Sequence, residues 1–132
     1  MDIYHTEPSR HKPGFLLDPF KPCVRFYGNS FPEDAVSFFL PVIQWLKTFY
    51  EQCDIHLKKG NSLDVEFRLS YMNTSSQRAF LEIFSILKQI QQKGLTVAIR
   101  WYYEKGDSRM LECGQELSSI AGVEMQFYEE EE

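Results

Sequence analysis

The chain has 132 residues, of which 43% are hydrophobic and 15% aromatic; this composition excludes a disordered chain, and the length suits a single folded domain. Fourteen Lys and Arg residues stand against 19 Asp and Glu residues, and the net charge of -5 argues against a partner that is a nucleic acid. The cysteines are dispersed, no stretch reaches the roughly 18 apolar residues of a membrane span, and no signal-peptide pattern occurs, so we expect a cytoplasmic protein without membrane insertion.

The amino-terminal part of the chain is predicted to form a hairpin. Proline and glycine interrupt this part, which indicates an N-terminal arm or an edge strand over residues 1–14. Residues 15–17 are apolar, and residues 24–28 alternate in the manner of a half-buried strand. We expect these two segments to pair with each other.

A first helix is predicted to follow this hairpin. Ser30 and Glu33 match an S-x-x-E capping box, and apolar residues recur at helical spacing from Ala35 to about Cys53. Pro41 lies inside this pattern. Because an interior proline removes one backbone hydrogen bond, we expect a kink at this position.

Strand-like and helix-like apolar patterns alternate through the rest of the chain. They predict a strand over residues 63–72, a helix that opens after Asn73 and stops at Lys93 and Gly94, a strand over 96–103, a helix over 108–121 and a strand over 123–128. The third helix is expected to bury Met110, Leu111, Gly114, Leu117 and Ile120. The glutamates at 129–132 are interpreted as an acidic tail in solvent.

This order of elements predicts an α/β fold. Helices between successive strands require right-handed crossovers and place neighbouring strands parallel. We therefore expect one domain over residues 1–132, with a mainly parallel or mixed central sheet, about three helices and an N-terminal hairpin.

No arrangement of residues for catalysis or for a cofactor is recognizable. His5, His11 and His56 have no metal-ligand spacing, and the glycines form neither a P-loop nor a G-x-G-x-x-G motif. Asp64 and Glu66 share one strand face, but alternating charges are typical of any half-exposed strand. We predict no enzyme activity, no catalytic residue, no cofactor and no metal site.

The most concentrated polar segment is Asn73-Thr74-Ser75-Ser76, between a predicted strand and a predicted helix. Functional sites of α/β sheets lie at the carboxyl ends of the strands, and a phosphoryl group here would meet free backbone N–H groups and the positive end of the helix dipole. A purely structural interpretation is a T-x-x-Q capping box of Thr74 and Gln77. The two interpretations are compatible, and the spacing alone leaves both open.

Five segments carry a family resemblance: residues 28–34 (GNSFPED), 41–46 (PVIQWL), 71–76 (YMNTSS), 101–103 (WYY) and 110–114 (MLECG). Together they resemble the SiaC family of bacterial biofilm-regulation phosphoproteins. That family is similar to the STAS domains used as anti-sigma-factor antagonists, so the resemblance implies a STAS-like fold. It extends from Phe15 to about Tyr128.

The resemblance implies a phosphorylation switch. Thr74 matches the threonine that a serine/threonine kinase of the histidine-kinase-like ATPase type phosphorylates and that a PPM-type phosphatase dephosphorylates. Ser75 and Ser76 are the alternate phosphorylation sites. The unphosphorylated protein is expected to bind a diguanylate cyclase and to promote the synthesis of cyclic-di-GMP.

The partner surface expected from the resemblance surrounds the same segment. Phosphate there would repel an acidic partner without refolding the protein. Alternatives are an anti-sigma-factor-antagonist-like regulator of another partner, a constitutive scaffold, or a small enzyme. The expected partner-binding residues are Tyr71, Asn73, Thr74, Ser75, Ser76 and Arg78.

Overall fold

Six strands lie across one sheet in the order in which they occur along the chain. The computed structural model describes residues 1–57 and 61–131. These residues contain four helices, whereas about three were predicted. The additional one is a single-turn helix directly after the first helix. The elements are β1 (Tyr4–Thr6), β2 (Gly14–Asp18), β3 (Cys23–Ser30), α1 (Ala35–Glu51), α2 (Cys53–His56), β4 (Ser62–Met72), α3 (Thr74–Gln92), β5 (Thr96–Glu104), α4 (Ser108–Ala121) and β6 (Gln126–Glu130).

The sheet is mixed, as predicted. Strands β1, β2 and β3 are antiparallel to one another, and β3, β4, β5 and β6 are parallel. The predicted hairpin is confirmed, with Phe15 opposite Phe26 and Leu17 opposite Val24. Parallel neighbours require long crossovers, and the chain supplies α1, α3 and α4 for them. The α/β fold expected from the alternating patterns is therefore confirmed.

The helices cover one face of the sheet, where aromatic rings form the core. Phe67 of β4 stacks on Phe26 of β3 and on Trp101 of β5, with ring centroids 5.3 Å apart in both pairs. Phe80 of α3 packs edge-on against Phe67 at 5.3 Å, and Phe39 of α1 lies 5.3 Å from Phe80. Rings of this size bury much apolar area and prefer such tilted or offset contacts.

The position of α4 depends on a close approach to the sheet. Gly114 lies against the Trp101 ring, and a Cβ atom at this glycine would lie 2.6 Å from the indole. The indole Nε1–H donates a hydrogen bond of 3.1 Å to the Met110 carbonyl oxygen. Glycine therefore lets the first half of α4 sit directly on β5.

The opposite face of the sheet carries charged side chains. Glu66 of β4 forms ion pairs with Arg25 at 3.7 Å and with Arg68 at 3.6 Å. Arg68 also lies over the Tyr102 ring, 3.7 Å from its centroid, and pairs with Glu130 of β6. The alternation of apolar and charged residues along β4 thus reflects one covered and one open face.

The predicted capping box of the first helix is wrong. Helix α1 begins at Ala35, and its N-cap is Asp34, whose carboxylate accepts a hydrogen bond of 3.1 Å from the Ser37 backbone N–H. Ser30 is instead the last residue of β3 and is buried, so its hydroxyl has no access to the helix start. The helix continues through Pro41, and the predicted kink stays a prediction.

Two expectations for the carboxyl-terminal part are wrong in detail. The bounds of α4 are as predicted, but Ile120 is 62% exposed because it lies on the side of the helix that faces away from the sheet. Strand β6 covers Gln126–Glu130, so Glu129 and Glu130 are strand residues and not a tail in solvent. The Lys105 backbone N–H donates to the Glu130 carbonyl oxygen at 2.8 Å, and the Glu130 side chain pairs with Arg68; these contacts hold an acidic strand at the sheet edge.

Candidate functional site

The predicted polar segment lies where β4 ends and α3 begins. Strand β4 ends at Met72, and α3 starts at Thr74 with Asn73 as its N-cap. The Asn73 side-chain oxygen accepts a hydrogen bond of 2.9 Å from the Ser76 backbone N–H. The predicted T-x-x-Q capping box is therefore wrong, since Thr74 is already inside the helix and asparagine is the stronger cap. This leaves the Thr74 side chain free of a capping role.

A buried pair of serines fixes this junction to the neighbouring strand. The Ser30 hydroxyl donates a hydrogen bond of 2.7 Å to the Ser76 hydroxyl, which donates one of 3.0 Å to the Ser30 carbonyl oxygen. The Asn73 backbone N–H donates to the same carbonyl oxygen at 2.9 Å. Both serines are 0% exposed. The end of β3 and the first turn of α3 are thus joined by three hydrogen bonds.

Thr74 and Ser75 are both exposed at the start of α3, and they border different concavities. Thr74 and Gln77 line a cavity of about 190 Å³ between the end of β4 and the start of α4. Ser75 and Arg78 line a groove of about 580 Å³ between α1 and α3. The segment therefore forms a ridge between two openings.

Helix α4 and its N-cap form the wall of the cavity opposite Thr74. Asp107 is the N-cap of this helix and accepts a hydrogen bond of 3.0 Å from the Met110 backbone N–H. Arg109 and Cys113 complete the wall. Burial, together with Glu116, raises the pKa of the Cys113 thiol. A thiol that stays protonated is a poor nucleophile, so this cysteine does not suggest covalent chemistry.

The groove beside Ser75 is bordered by exposed apolar side chains. Val36 and Leu40, four residues apart on α1, are 81% and 49% exposed. Ala79 of α3 lies across from them, and Lys47 stands at the rim. Exposed aliphatic residues at helical spacing are typical of surfaces that contact other proteins.

An aromatic cluster extends the site on the other side. Tyr71, which the sequence analysis assigned to the partner surface, is 50% exposed and packs edge-on against Phe31 with ring centroids 5.5 Å apart. Phe31 in turn packs against His11 at 5.0 Å, and its backbone N–H donates to the His11 carbonyl oxygen at 2.8 Å. The loop between β1 and β2 therefore reaches the same edge as Thr74.

The six residues that the sequence analysis named for the partner surface lie together between the end of β4 and the second turn of α3. Ser76 is 0% exposed, however, so the prediction that it contacts a partner is wrong. Sequence reasoning did not assign His11, Phe31, Asp107 or Arg109 to the site. These residues come from other elements, and only the pairing of the strands in the sheet reveals that their loops meet at one edge.

Among residues 1–57 and 61–131, no three His, Cys, Asp or Glu side chains are grouped closely enough to hold a metal ion. Within the same residues, no helix combines the length and the apolar character that crossing a membrane requires.

Comparisons with known proteins show relatives of this fold. A curated but uncharacterized protein of Pseudomonas aeruginosa (strain UCBPP-PA14) is 34% identical over 90 residues, which span 67% of this chain and 66% of that protein. The crystal structure of apo-SiaC from Pseudomonas aeruginosa superposes with a TM-score of 0.80 at 26% identity, covering 97% of this chain and 99% of that chain.

A second solved structure contains a similar chain in a complex. It is the crystal structure of the diguanylate cyclase SiaD with its activator SiaC from Pseudomonas aeruginosa, with a TM-score of 0.81 at 26% identity over 96% of this chain and 99% of that chain. A family model described as SiaC family regulatory phosphoprotein matches residues 6–130. Since this match covers nearly the whole chain, the protein belongs to the SiaC family of regulatory phosphoproteins.

Proposed function

We propose that this chain is a partner-switch protein that, when unphosphorylated at Thr74, binds and activates a diguanylate cyclase. Phosphorylation of Thr74 abolishes this binding and lowers the production of cyclic-di-GMP. The family of regulatory phosphoproteins and the solved complex of the activator SiaC with the cyclase SiaD support the proposal. The observation that carries it for this chain is the exposed Thr74 hydroxyl, which has no part in capping α3.

Accessibility favours Thr74 over the neighbouring serines. A kinase must bring the hydroxyl into line with the γ-phosphate of ATP, which requires an accessible side chain. Thr74 is exposed, whereas Ser76 is 0% exposed and hydrogen-bonded to Ser30. Phosphorylation of Ser76 would require the first turn of α3 to leave the sheet. Ser75 is exposed and stays an alternate site.

A phosphoryl group at Thr74 would change the surface more than the fold. It adds about 1.5 to 2 negative charges at neutral pH. The first turn of α3 tolerates this charge, because the helix dipole is positive at this end and the backbone there is already anchored by Asn73 and Ser76. The switch therefore acts by changing the charge of the surface that a partner contacts, and not by changing the fold.

The partner surface that we propose centres on Tyr71, Asn73, Thr74, Ser75 and Arg78. The half-exposed Tyr71 ring supplies apolar area with a polar tip, and Arg78 supplies a positive charge. An acidic partner would be attracted to Arg78 and repelled by phosphate at Thr74. Ser76 takes part indirectly, since it holds the junction in place and is itself buried.

We further propose that the phosphate is added by a serine/threonine kinase of the histidine-kinase-like ATPase type and removed by a PPM-type phosphatase. Because a PPM-type enzyme depends on bound metal ions, a chelator should preserve phosphate on Thr74 in a cell extract. Preservation by an inhibitor of metal-independent phosphatases, with no effect of the chelator, would contradict the phosphatase assignment.

Site-resolved phosphopeptide mass spectrometry of the protein from growing and stationary cells is the first test. Partial and condition-dependent phosphate on Thr74 is the expected result. Phosphate that is absent in every condition, or confined to other residues, would overturn the proposed switch.

The second test measures the effect on a cyclase directly. The unphosphorylated chain is used to capture its partner from its own cells, and formation of cyclic-di-GMP from GTP is then assayed with unphosphorylated and phosphorylated protein. We expect stimulation by the unphosphorylated form alone. Equal binding of both forms would favour a constitutive scaffold, and capture of a protein without cyclase activity would favour a regulator of another partner.

A further inference from the structure

Two arginines stand on either side of Thr74. Arg78 lies four residues further along α3, and residues at this spacing are neighbours on one helix face. Arg78 lines the groove on the Ser75 side of the ridge. Because helical side chains lean toward the amino terminus, a phosphoryl group in the first turn of α3 is within reach of its guanidinium. Arg109, in the first turn of α4, lines the same cavity as Thr74.

Neither arginine has a carboxylate partner among residues 1–57 and 61–131 of this acidic chain. On the open face of the sheet, by contrast, Arg25, Arg68 and Arg100 all have acidic partners. The carboxylate on the wall beside Arg109 is that of Asp107, which already caps α4.

The location of Arg109 is itself unfavourable for a cation. It occupies the first turn of α4, where the helix dipole presents its positive end. An anion placed in the adjoining cavity would reverse this disadvantage. The exposed Thr74 side chain is the position in that cavity at which a covalently attached anion would appear.

We propose that a phosphoryl group on Thr74 is held within the molecule by Arg78 and Arg109, which together bridge α3 and α4. This inference rests on the proposed phosphorylation of Thr74. A phosphoryl group has three acceptor oxygens, and arginine presents a planar fork of N–H donors that fits two of them. Two arginines approaching from different helices therefore satisfy the group better than solvent and one cation would.

The bridge gives the switch a mechanism beyond repulsion. In the unphosphorylated protein Arg78 is exposed and available to an acidic partner. Once the phosphate on Thr74 pairs with Arg78, the positive charge of Arg78 is no longer available to a partner, and the surface carries the negative charge of the phosphate. Partner binding would then fall because an attractive contact is withdrawn as well as because a negative charge is added.

The test is a 31P NMR titration of the full chain with phosphothreonine incorporated at position 74 by genetic encoding. Nearby cations favour the dianionic phosphate, so each bound arginine lowers the midpoint pH of the titration. We expect Arg78→Gln and Arg109→Gln each to raise this midpoint by about half a pH unit at low salt. Both arginines are exposed, so neither variant should unfold.

Lys21→Gln provides the matched control. Lys21 is exposed beside the start of β3, at the opposite end of the sheet from Thr74, and its removal changes the net charge by the same amount. We expect its midpoint to stay within about a tenth of a unit of the wild-type value, since screening suppresses distant charges.

A midpoint in either arginine variant equal to that of Lys21→Gln would overturn the bridge. Because phosphothreonine is incorporated during synthesis of the chain, this outcome does not depend on whether a kinase in the cell phosphorylates Thr74. Absence of the phosphate in cells would overturn the proposed function, whereas unchanged midpoints would overturn only the role of the two arginines.

Discussion

The Ser30 hydroxyl donates a hydrogen bond of 2.7 Å to the Ser76 hydroxyl, across 46 residues of sequence, inside a part of the protein that solvent does not reach. Ser76 donates in turn to the Ser30 carbonyl oxygen at 3.0 Å. Each hydroxyl is therefore satisfied by the other residue. The orientation of the first turn of α3, and with it the placement of Thr74, depends on this pair.

Ser76→Ala should destabilise the protein by about 1 to 3 kcal/mol, because it leaves the buried Ser30 hydroxyl without its acceptor. Urea unfolding followed by circular dichroism measures the change. Ser75→Ala is the matched control, since Ser75 is exposed one position earlier in the same helix, and its effect should be within about 0.5 kcal/mol. Equal effects of the two substitutions would show that the serine pair does not stabilise the junction.

Asn73→Ala should cost about 1 kcal/mol of stability, because the Asn73 side chain is the N-cap of α3. Thr74→Ala should change stability by less than about 0.5 kcal/mol, since Thr74 follows the cap and is exposed. The same unfolding measurement compares the two. The reverse order of effects would restore Thr74 as the capping residue.

The cap of α1 predicts a dependence of stability on pH. The Ser37 backbone N–H and hydroxyl donate to the Asp34 carboxylate at 3.1 Å and 2.8 Å, and these bonds lower the pKa of Asp34 in the folded protein. A carboxyl whose pKa is lower in the folded state contributes stability above its unfolded pKa and loses that contribution as the pH falls through the folded value. Asp34→Ala should therefore be less stable than wild type at pH 7, and the gap should narrow below about pH 4.

Unfolding curves at a series of pH values measure this gap. Asp34→Asn is the control, because asparagine keeps the cap but does not titrate, so its advantage over Asp34→Ala should hold at every pH. A gap between wild type and Asp34→Ala that stays constant down to pH 3 would mean that the charge of Asp34 does not contribute.

The helices and strands with strong periodicity were predictable from sequence, whereas the residues that cap α1 and α3 were not. In α3 the apolar spacing and Gly94 predicted the element almost to its bounds. At both helix starts, however, several side chains compete to be the cap. Ser30 does not cap α1, because its hydroxyl bonds to Ser76 far along the chain, and no local pattern contains that information.

The candidate site also contains residues that could be found from sequence and residues that could not. Tyr71 to Ser76 are contiguous, so sequence reasoning found them together. Arg109 and His11 reach the site only through the arrangement of the sheet. The last strand was misplaced because consecutive glutamates are typical of a solvated tail. The parallel pairing of residues 126–130 with β5 places the strand there, and the contacts of Glu130 with Arg68 and with the Lys105 backbone support it.

Thr74→Asp should abolish partner binding and leave the free energy of unfolding within about 1 kcal/mol of wild type, since an acidic residue is welcome in the first turn of a helix. A pull-down and a thermal melt of the same sample measure the two effects. Ser85→Asp is the matched control: it adds the same charge to an exposed position of α3, roughly 16 Å along the helix, and should leave binding intact.

Thr74→Ala separates charge from contact in the same assay. If charge is the switch, this variant should bind as wild type does and should no longer respond to the kinase, because it lacks the hydroxyl. Loss of binding as complete as that of Thr74→Asp would identify the hydroxyl as a direct contact with the partner. If Thr74→Asp unfolded the protein, Thr74 would have a structural role. Its side chain would then be needed, in addition to the hydrogen bonds of Asn73 and Ser76, to stabilise the start of α3.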